Sequence, residues 1–336
     1  MEIPTPYLLF LGNTKDPLAA KTSMGIAQWR PEHCIGQLSM PGCEIDLGLP
    51  ELNMMEAVER GAKTLILGLA NRGGDIAHEW RPYLKQALKH GLDIGNGLHR
   101  KVADFPDIVE LADQLGKKIY DVRHPNRQFA VADAKKRTGK RLLAVGTDCS
   151  VGKMYTTLAI EQEMKSRGLD VDFRATGQTG IFISGRGVSV DAVTADFISG
   201  AIEQLAPANK KDHWDLIEGQ GSLFHPSFAG VTLGLIHGSQ PDVLVLCHEI
   251  GRSHLRGIPH IPLPELGRCI KANLEAARLT NPHVQMKGIA VNSSRLTESE
   301  AETYCKRVSD RYGLICVDPL RHGVRRLVDQ IIQSER

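Results

Sequence analysis

The seven cysteines of this 336-residue chain (Cys34, Cys43, Cys149, Cys247, Cys269, Cys305 and Cys316) include no C-x-x-C pair, which removes a zinc ribbon and a thioredoxin-type site. An odd, scattered set of this kind is expected as reduced thiols. No apolar run approaches the roughly 18 residues of a membrane span, and Met1 to Pro6 lack the basic-then-apolar order of an export signal. A cytoplasmic location without a membrane partner is expected. Neither charge is in excess: 41 basic against 39 acidic side chains leave +2, dispersed along the chain, which speaks against a nucleic-acid partner. Tandem repeats and low-complexity segments are missing. What is present is 42% hydrophobic and 24% charged, as in an ordinary soluble enzyme, with length for about two domains.

The first 125 residues alternate strands and helices. Apolar runs at Tyr7 to Leu11 and Lys63 to Leu67, and less continuous ones at Leu92 to Gly97 and Lys118 to Val122, predict strands. Helices are expected at Glu51 to Arg60, Ile76 to His90 and Pro106 to Leu115. Between Gly12 and Pro50, prolines and glycines break the pattern, and no element is resolved there. Strands alternating with helices across short glycine loops predict a small Rossmann-like domain over residues 1–125. It lacks a G-x-G-x-x-G fingerprint, so dinucleotide binding is not supported. The polar, basic stretch 126–140 suits a linker, and a P-loop NTPase-like, doubly wound parallel-sheet domain is expected over 141–336.

That second domain opens on a strand (Leu142 to Val145), a loop and a helix from Lys153 to about Arg167. A helix that starts after a tight loop aims unpaired N–H groups and the positive end of its dipole at one point, where a phosphate fits. The candidate phosphate cradle is Gly146, Thr147, Asp148, Cys149, Ser150, Val151, Gly152, Lys153, Met154 and Tyr155. It departs from G-x-x-x-x-G-K-[ST] twice. The first glycine stands one residue early, and Met154 occupies the position of the hydroxyl that holds Mg²⁺ in phosphoryl transfer. Unless Thr156 or Thr157 compensates, such a loop holds phosphates well and transfers them poorly.

Later strands bring further polar residues to the same sheet edge, where open α/β sheets bind ligands. Asp170 to Ala175 is a strand that leads into a loop, placing Arg174 and Gln178 as candidates for an anionic or amide group. A helix is expected from Asp191 to Gln204. Asp212 to Glu218 ends at Glu218, where a Mg²⁺-ordering carboxylate would sit, followed by His225. Asp242 to Glu249 delivers His248, Glu249 and Arg252. An H-E-x-x-H zinc helix would need histidine where Arg252 stands, so no metal site is expected. A helix from Leu266 to Leu279, a strand at Lys287 to Val291, a capping box from Thr297 to Glu300, a strand at Leu314 to Val317 and a helix at Val324 to Gln333 complete the domain.

With these residues placed, the chain resembles a known family. Gly146-Thr-Asp-Cys-Ser-Val-Gly-Lys-Met154, Arg174-Ala-Thr-Gly-Gln-Thr-Gly180, Glu218-Gly-Gln-Gly-Ser-Leu-Phe-His-Pro226, His237-Gly-Ser-Gln-Pro241 and Leu246-Cys-His-Glu249 look like a bacterial P-loop family that includes the D-glutamate N-acetyltransferases of D-glutamate catabolism. Gly97-Leu-His99 and Asp121-Val-Arg123 extend the likeness over nearly the whole chain. A more distant likeness is to dethiobiotin synthetase, whose loop also reads Gly-Thr-Asp before Val-Gly-Lys. The resemblance implies acetyl transfer from acetyl-CoA, a co-substrate rather than a tightly bound cofactor, to the amine of D-glutamate. The product would pass to an N-acetyl-D-glutamate racemase, and a homo-oligomer is expected. On that reading Gly146 to Tyr155 hold the CoA phosphates. The base is sought among His225, His248 and Glu249, with His225 preferred; Glu218 is a further catalytic candidate, and Arg174, Gln178 and Arg252 meet the acceptor. The rival expectations are an ATP/Mg-dependent ligase or kinase acting on a small carboxylate, and a nucleotide-binding regulator without turnover.

Overall fold

A computed structural model describes residues 2–71, 73–125 and 127–333. The chain forms two compact units: Met1–Arg127 together with Gly177–Ala192, and Gln128–Thr176 together with Val193–Arg336. The segment after the second strand of the second unit thus leaves that unit and returns to it sixteen residues later.

In the first unit the strands are β1 (Tyr7–Gly12), β2 (Cys34–Ser39), β3 (Thr64–Leu67), β4 (Asp93–Asn96) and β5 (Ile119–Asp121), with helices α1 (Lys21–Trp29), α2 (Met54–Glu59), α3 (Arg81–Lys89) and α4 (Pro106–Gln114). All pair in parallel in the order β2-β1-β3-β4-β5. Each residue of β1 and β3 is buried, as a central strand covered on both faces requires. The stretch between Gly12 and Pro50, which has no readable periodicity, contains α1 and β2. The strand's core-facing pattern covers only three of its six residues, Gly36, Gln37 and Leu38, which is too short a run to stand out. An Asn53 capping box starts α2.

The second unit carries β6 (Lys140–Gly146), α5 (Lys153–Ser166) and β7 (Val171–Arg174). The chain then gives α6 (Gln178–Ser184) to the first unit before α7 (Ile198–Leu205), β8 (Trp214–Ile217), α8 (Ala229–Ser239) and β9 (Val243–Glu249). A hairpin, β10 (His254–Leu255) with β11 (Ile258–Pro262), precedes α9 (Leu266–Arg278), β12 (Gln285–Asn292), α10 (Glu298–Tyr312), β13 (Ile315–Val317) and α11 (Arg325–Gln333). The six-stranded sheet is parallel in the order β13-β12-β9-β6-β8-β7. Both units are doubly wound α/β folds. The Thr297–Glu300 capping box is formed as expected.

Three elements differ from expectation. α6 begins at Gln178, inside the stretch Thr176 to Gly180 that reads as a loop. The helix expected from Asp191 starts only at Ile198, after two short 3₁₀ turns. The hairpin has no counterpart in the sequence reading. Among the described residues no helix is long and apolar enough to cross a membrane, and all seven cysteines are free.

Candidate functional site

β6 is central in its sheet and ends at Gly146. The ladder continues one step beyond the strand, with the Thr147 N–H donating to the Cys247 carbonyl at 3.0 Å. The chain then turns through Ser150, at φ +53°, and Gly152, at φ +98°, before α5 begins. The left-handed conformation at Gly152 lets the helix start directly under the loop, and no side chain caps its first turn. Lys153 folds back into the loop, and its buried ammonium donates to the Asp148 carbonyl at 2.8 Å. Burial pulls its pKa below the ordinary lysine value, against the opposing effect of Cys247, Cys149 and Asp148.

The acidic residue of the loop organises the cations around it. Asp148, fully buried, accepts from the Cys149 N–H (2.7 Å), the Arg252 guanidinium (2.7 Å) and the Arg256 N–H (2.7 Å). Arg252 also donates to the Cys149 carbonyl at 2.7 Å and pairs with Glu249, which pairs in turn with Arg295 at 3.2 Å. Arg252 and Glu249 are therefore engaged with each other and with the loop. Arg174 is engaged as well, with Asp215 at 2.7 Å and Asp172 at 3.2 Å, on neighbouring strands β7 and β8. Gln178 belongs to the first unit, where its side-chain carbonyl accepts from Arg123.

Glu218 follows β8 and is buried. Its carboxylate accepts the Thr176 N–H at 2.8 Å, and its carbonyl accepts the Thr176 hydroxyl at 2.6 Å. Gly219, beside it, passes so close to β6 that a Cβ there would lie 1.6 Å from the Ala144 carbonyl oxygen. His225 is buried, with Nδ1 accepting the Ser227 N–H at 3.2 Å and Nε2 at 3.0 Å from the Arg256 carbonyl. That pair of contacts sets a neutral ring with its proton on Nε2. His248 lies at the end of β9, its Nδ1 3.1 Å from the Thr147 hydroxyl and its ring stacked at 6.4 Å on Tyr304. Burial, with Arg252 as a second cause, lowers its pKa to about 4, so the ring is neutral at working pH.

Asp148, Cys149 and His225 offer ligand-type atoms within 4.8 Å of one another. Three donors already occupy the Asp148 carboxylate, one of them a guanidinium, and both His225 ring nitrogens are bonded, so the group reads as a hydrogen-bonded knot. Burial raises the Cys149 thiol pKa, opposed by Lys153, Arg256 and Arg252. The two threonine hydroxyls nearest in sequence to the missing Mg²⁺ ligand each make a hydrogen bond. Thr157 donates to the Lys153 carbonyl at 2.8 Å, and the Thr156 hydroxyl accepts from the Cys247 thiol at 3.5 Å. Sequence reading missed Arg256, because nothing in a nine-residue stretch of short strands and prolines marks it.

At the strand ends of the first unit the polar groups close on one another. Asn96 donates to Asp121 at 2.6 Å, and the Asp121 carboxylate also accepts the Val102 and Ala103 N–H groups at 2.8 and 3.1 Å. Arg123 donates to the Gly97 carbonyl at 3.3 Å and pairs with Asp191.

Residues 128–328 match the P-loop domain of unknown function DUF1611, C-terminal part, and residues 38–125 match its Rossmann-like N-terminal domain. A protein named D-glutamate N-acetyltransferase from Tritonibacter scottomollicae is 55% identical over 98% of this chain and 99% of its own length. Another of that name, from a Pseudoalteromonas species, is 51% identical over 98% and 99%. The crystal structure of a DUF1611 family protein from Anabaena variabilis matches with a TM-score of 0.85 at 34% identity, covering 98% of this chain and 100% of that one. With a P-loop model covering more than half of its length and these near-full-length relatives, the chain belongs to the DUF1611 family.

Proposed function

We propose that this protein is a D-glutamate N-acetyltransferase that takes its acetyl group from acetyl-CoA. The observation that carries the reading is the similarity, end to end, to two proteins of that name. The loop supports it physically. Coenzyme A presents phosphates to be held and no P–O bond to be broken, and a cradle with Met154 in place of a Mg²⁺ hydroxyl suits that task. Gly146 to Tyr155 hold the phosphates, with Lys153 and the first N–H groups of α5 as donors.

In the reaction the acceptor nitrogen attacks the thioester carbonyl, the C–S bond breaks, CoA leaves as the thiol, and the nitrogen loses a proton. An α-amino group of pKa about 8 is largely cationic at neutral pH and must first release its ammonium proton to solvent, since only the neutral amine has a lone pair to attack. Once bonded to the carbonyl carbon the nitrogen is a far stronger acid, and the second proton it then loses is passed on to the departing thiolate. We assign the relay of that proton to His248 rather than to His225. In the tautomer whose Nδ1–H donates to Thr147, His248 presents Nε2 as an acceptor that has no hydrogen-bond partner among the described residues, whereas both nitrogens of His225 are in use. A weak base suffices for so acidic a proton. Glu218 orders the Thr176 turn beside Lys153, and Glu249 holds Arg252. On this reading the product passes to an N-acetyl-D-glutamate racemase, and the free thiols support a cytoplasmic location.

The test is direct. Purified protein is incubated with D-glutamate and either acetyl-CoA or MgATP, and free thiol, N-acetylglutamate and ADP are measured. Thiol and amide in equal amounts are expected with acetyl-CoA. ADP formed with D-glutamate and no amide would replace this reading with the ligase or kinase.

A further inference from the structure

The β10–β11 hairpin is held on the phosphate loop through one residue of its tip. The Arg256 N–H donates to Asp148 and its carbonyl accepts from His225, both partners being buried and carried by loops that follow different strands. The preceding residue, Leu255, is buried too. A main chain fixed at both ends and anchored by an apolar neighbour determines where the next group can go, and that group is a guanidinium. It is exposed, and it has no ion pair or side-chain hydrogen bond among the described residues. Its charge reaches the loop, since it acts on the Cys149 thiol together with Lys153 and Arg252.

The other cations nearby are spent. Arg252 serves Asp148, Glu249 and two loop carbonyls, Arg295 serves Glu249, and Lys153 is buried on the Asp148 carbonyl. A guanidinium keeps its charge at any working pH and matches a phosphate or carboxylate with two parallel N–H bonds. Holding its backbone in advance removes part of the ordering cost of binding.

We propose that Arg256 is the residue that grips an oxyanion of the bound reactants, a phosphate of acetyl-CoA or a carboxylate of the acceptor, and that His225 acts through it as a positioning residue. This deepens the acetyltransferase reading and rests on it for the identity of the reactants.

The test uses the full-length protein and the variants Arg256→Ala, Arg256→Lys, His225→Ala and the double variant His225→Ala/Arg256→Ala. CoA and D-glutamate are titrated separately by calorimetry, and KM is measured for acetyl-CoA and D-glutamate. Arg256→Ala should weaken one reactant about tenfold to a hundredfold, with Arg256→Lys recovering part of the loss and melting temperatures close to that of the parent. A change confined to CoA assigns the phosphate, and one confined to D-glutamate assigns the carboxylate. The double variant should be no worse than Arg256→Ala alone, because His225 works by placing that residue. Unchanged affinities for both reactants in Arg256→Ala overturn the proposal. A parent protein that binds both reactants but makes no amide overturns the acetyltransferase reading and leaves the titrations to judge Arg256. A parent that binds neither overturns both.

Discussion

Asp121 ends the edge strand β5 of one parallel sheet and Asp148 follows the central strand β6 of the other, and each carboxylate accepts three N–H groups. Their partners differ in kind. Asp121 is half-buried and binds neutral donors, two main-chain N–H groups of a 3₁₀ turn and the amide of Asn96, so its charge is used up in closing a loop. Asp148 is fully buried and binds a guanidinium and the backbone of a second arginine, so its charge gathers cations around a loop that leads into an uncapped helix. Two sheets of one architecture therefore end in one self-contained edge and one edge prepared for an anion. The fold supplies a crevice in both cases, and the loop chemistry decides which is equipped to bind.

The largest expected effect separates the two edges by their glycines. In Gly219→Ala the new Cβ would lie 1.6 Å from a main-chain oxygen of β6, which cannot yield without parting β6 from β8. A loss above about 4 kcal/mol is expected, read as failure to fold or a collapsed denaturant midpoint. Gly97→Ala in the first unit would meet only side chains, Phe182 at 3.1 Å and Gln178 at 3.3 Å, and should be far milder. Equal outcomes would show that the β6 to β8 approach is not the constraint described.

Next comes a pH effect. Because His248 has a folded pKa of about 4 against about 6.5 when unfolded, the unfolded chain binds the extra proton between those values. Its contribution to stability is complete above about pH 6.5 and lost as pH falls to about 4, a difference of about 3 kcal/mol. His99, exposed at the end of β4, carries no comparable weight. Urea midpoints at pH 7 and pH 4.5 should fall less in His248→Gln than in the parent. An identical fall in both proteins would remove His248 as the buried neutral group.

Lys153→Ala removes the charged donor of the cradle. At about 1.5–3 kcal/mol for a charge-assisted contact, KM for acetyl-CoA should rise tenfold or more. An unchanged KM would mean that the loop does not hold the CoA phosphates.

Much of this contrast is legible in the sequence, and the parts that are not share a cause. Buried strands announce themselves as apolar runs, as in Leu142 to Val145 and Asp242 to Cys247, and the Thr297–Glu300 box marks its helix because both partners lie within four residues. The loop proposed to hold phosphates is local as well, so its ten residues can be picked out from the sequence. α6 is missed because Gln178-Thr-Gly-Ile begins like a turn, and it is helical where its Gly180, Ile181, Phe182 and Ile183 are buried within the first unit. The buried partners of Arg174 and Arg252, Asp215 and Asp148, lie 41 and 104 residues away in sequence, so those pairings could not be seen in it. Arg256 is the reverse case, marked only by contacts to Asp148 and His225 across 108 and 31 residues.

The smallest expected effects bear on the two aspartates themselves. In either one, Asp→Asn leaves a neutral amide that can accept fewer N–H groups than a carboxylate, so one donor loses its partner at about 1–3 kcal/mol. Stability alone should thus not tell Asp121→Asn from Asp148→Asn, and thermal melts should move by similar amounts. Kinetics should. Asp148→Asn weakens the hold on Arg252 and on the Arg256 main chain, and should raise KM for a reactant severalfold. Asp121→Asn disturbs a 3₁₀ turn and Asn96, and should leave kcat and KM at parental values in the folded protein. A parental melt with depressed kcat in Asp121→Asn would reverse the assignment: the edge at β4 and β5 would then take part in the chemistry, and its closed network would be a resting arrangement that the reactants open.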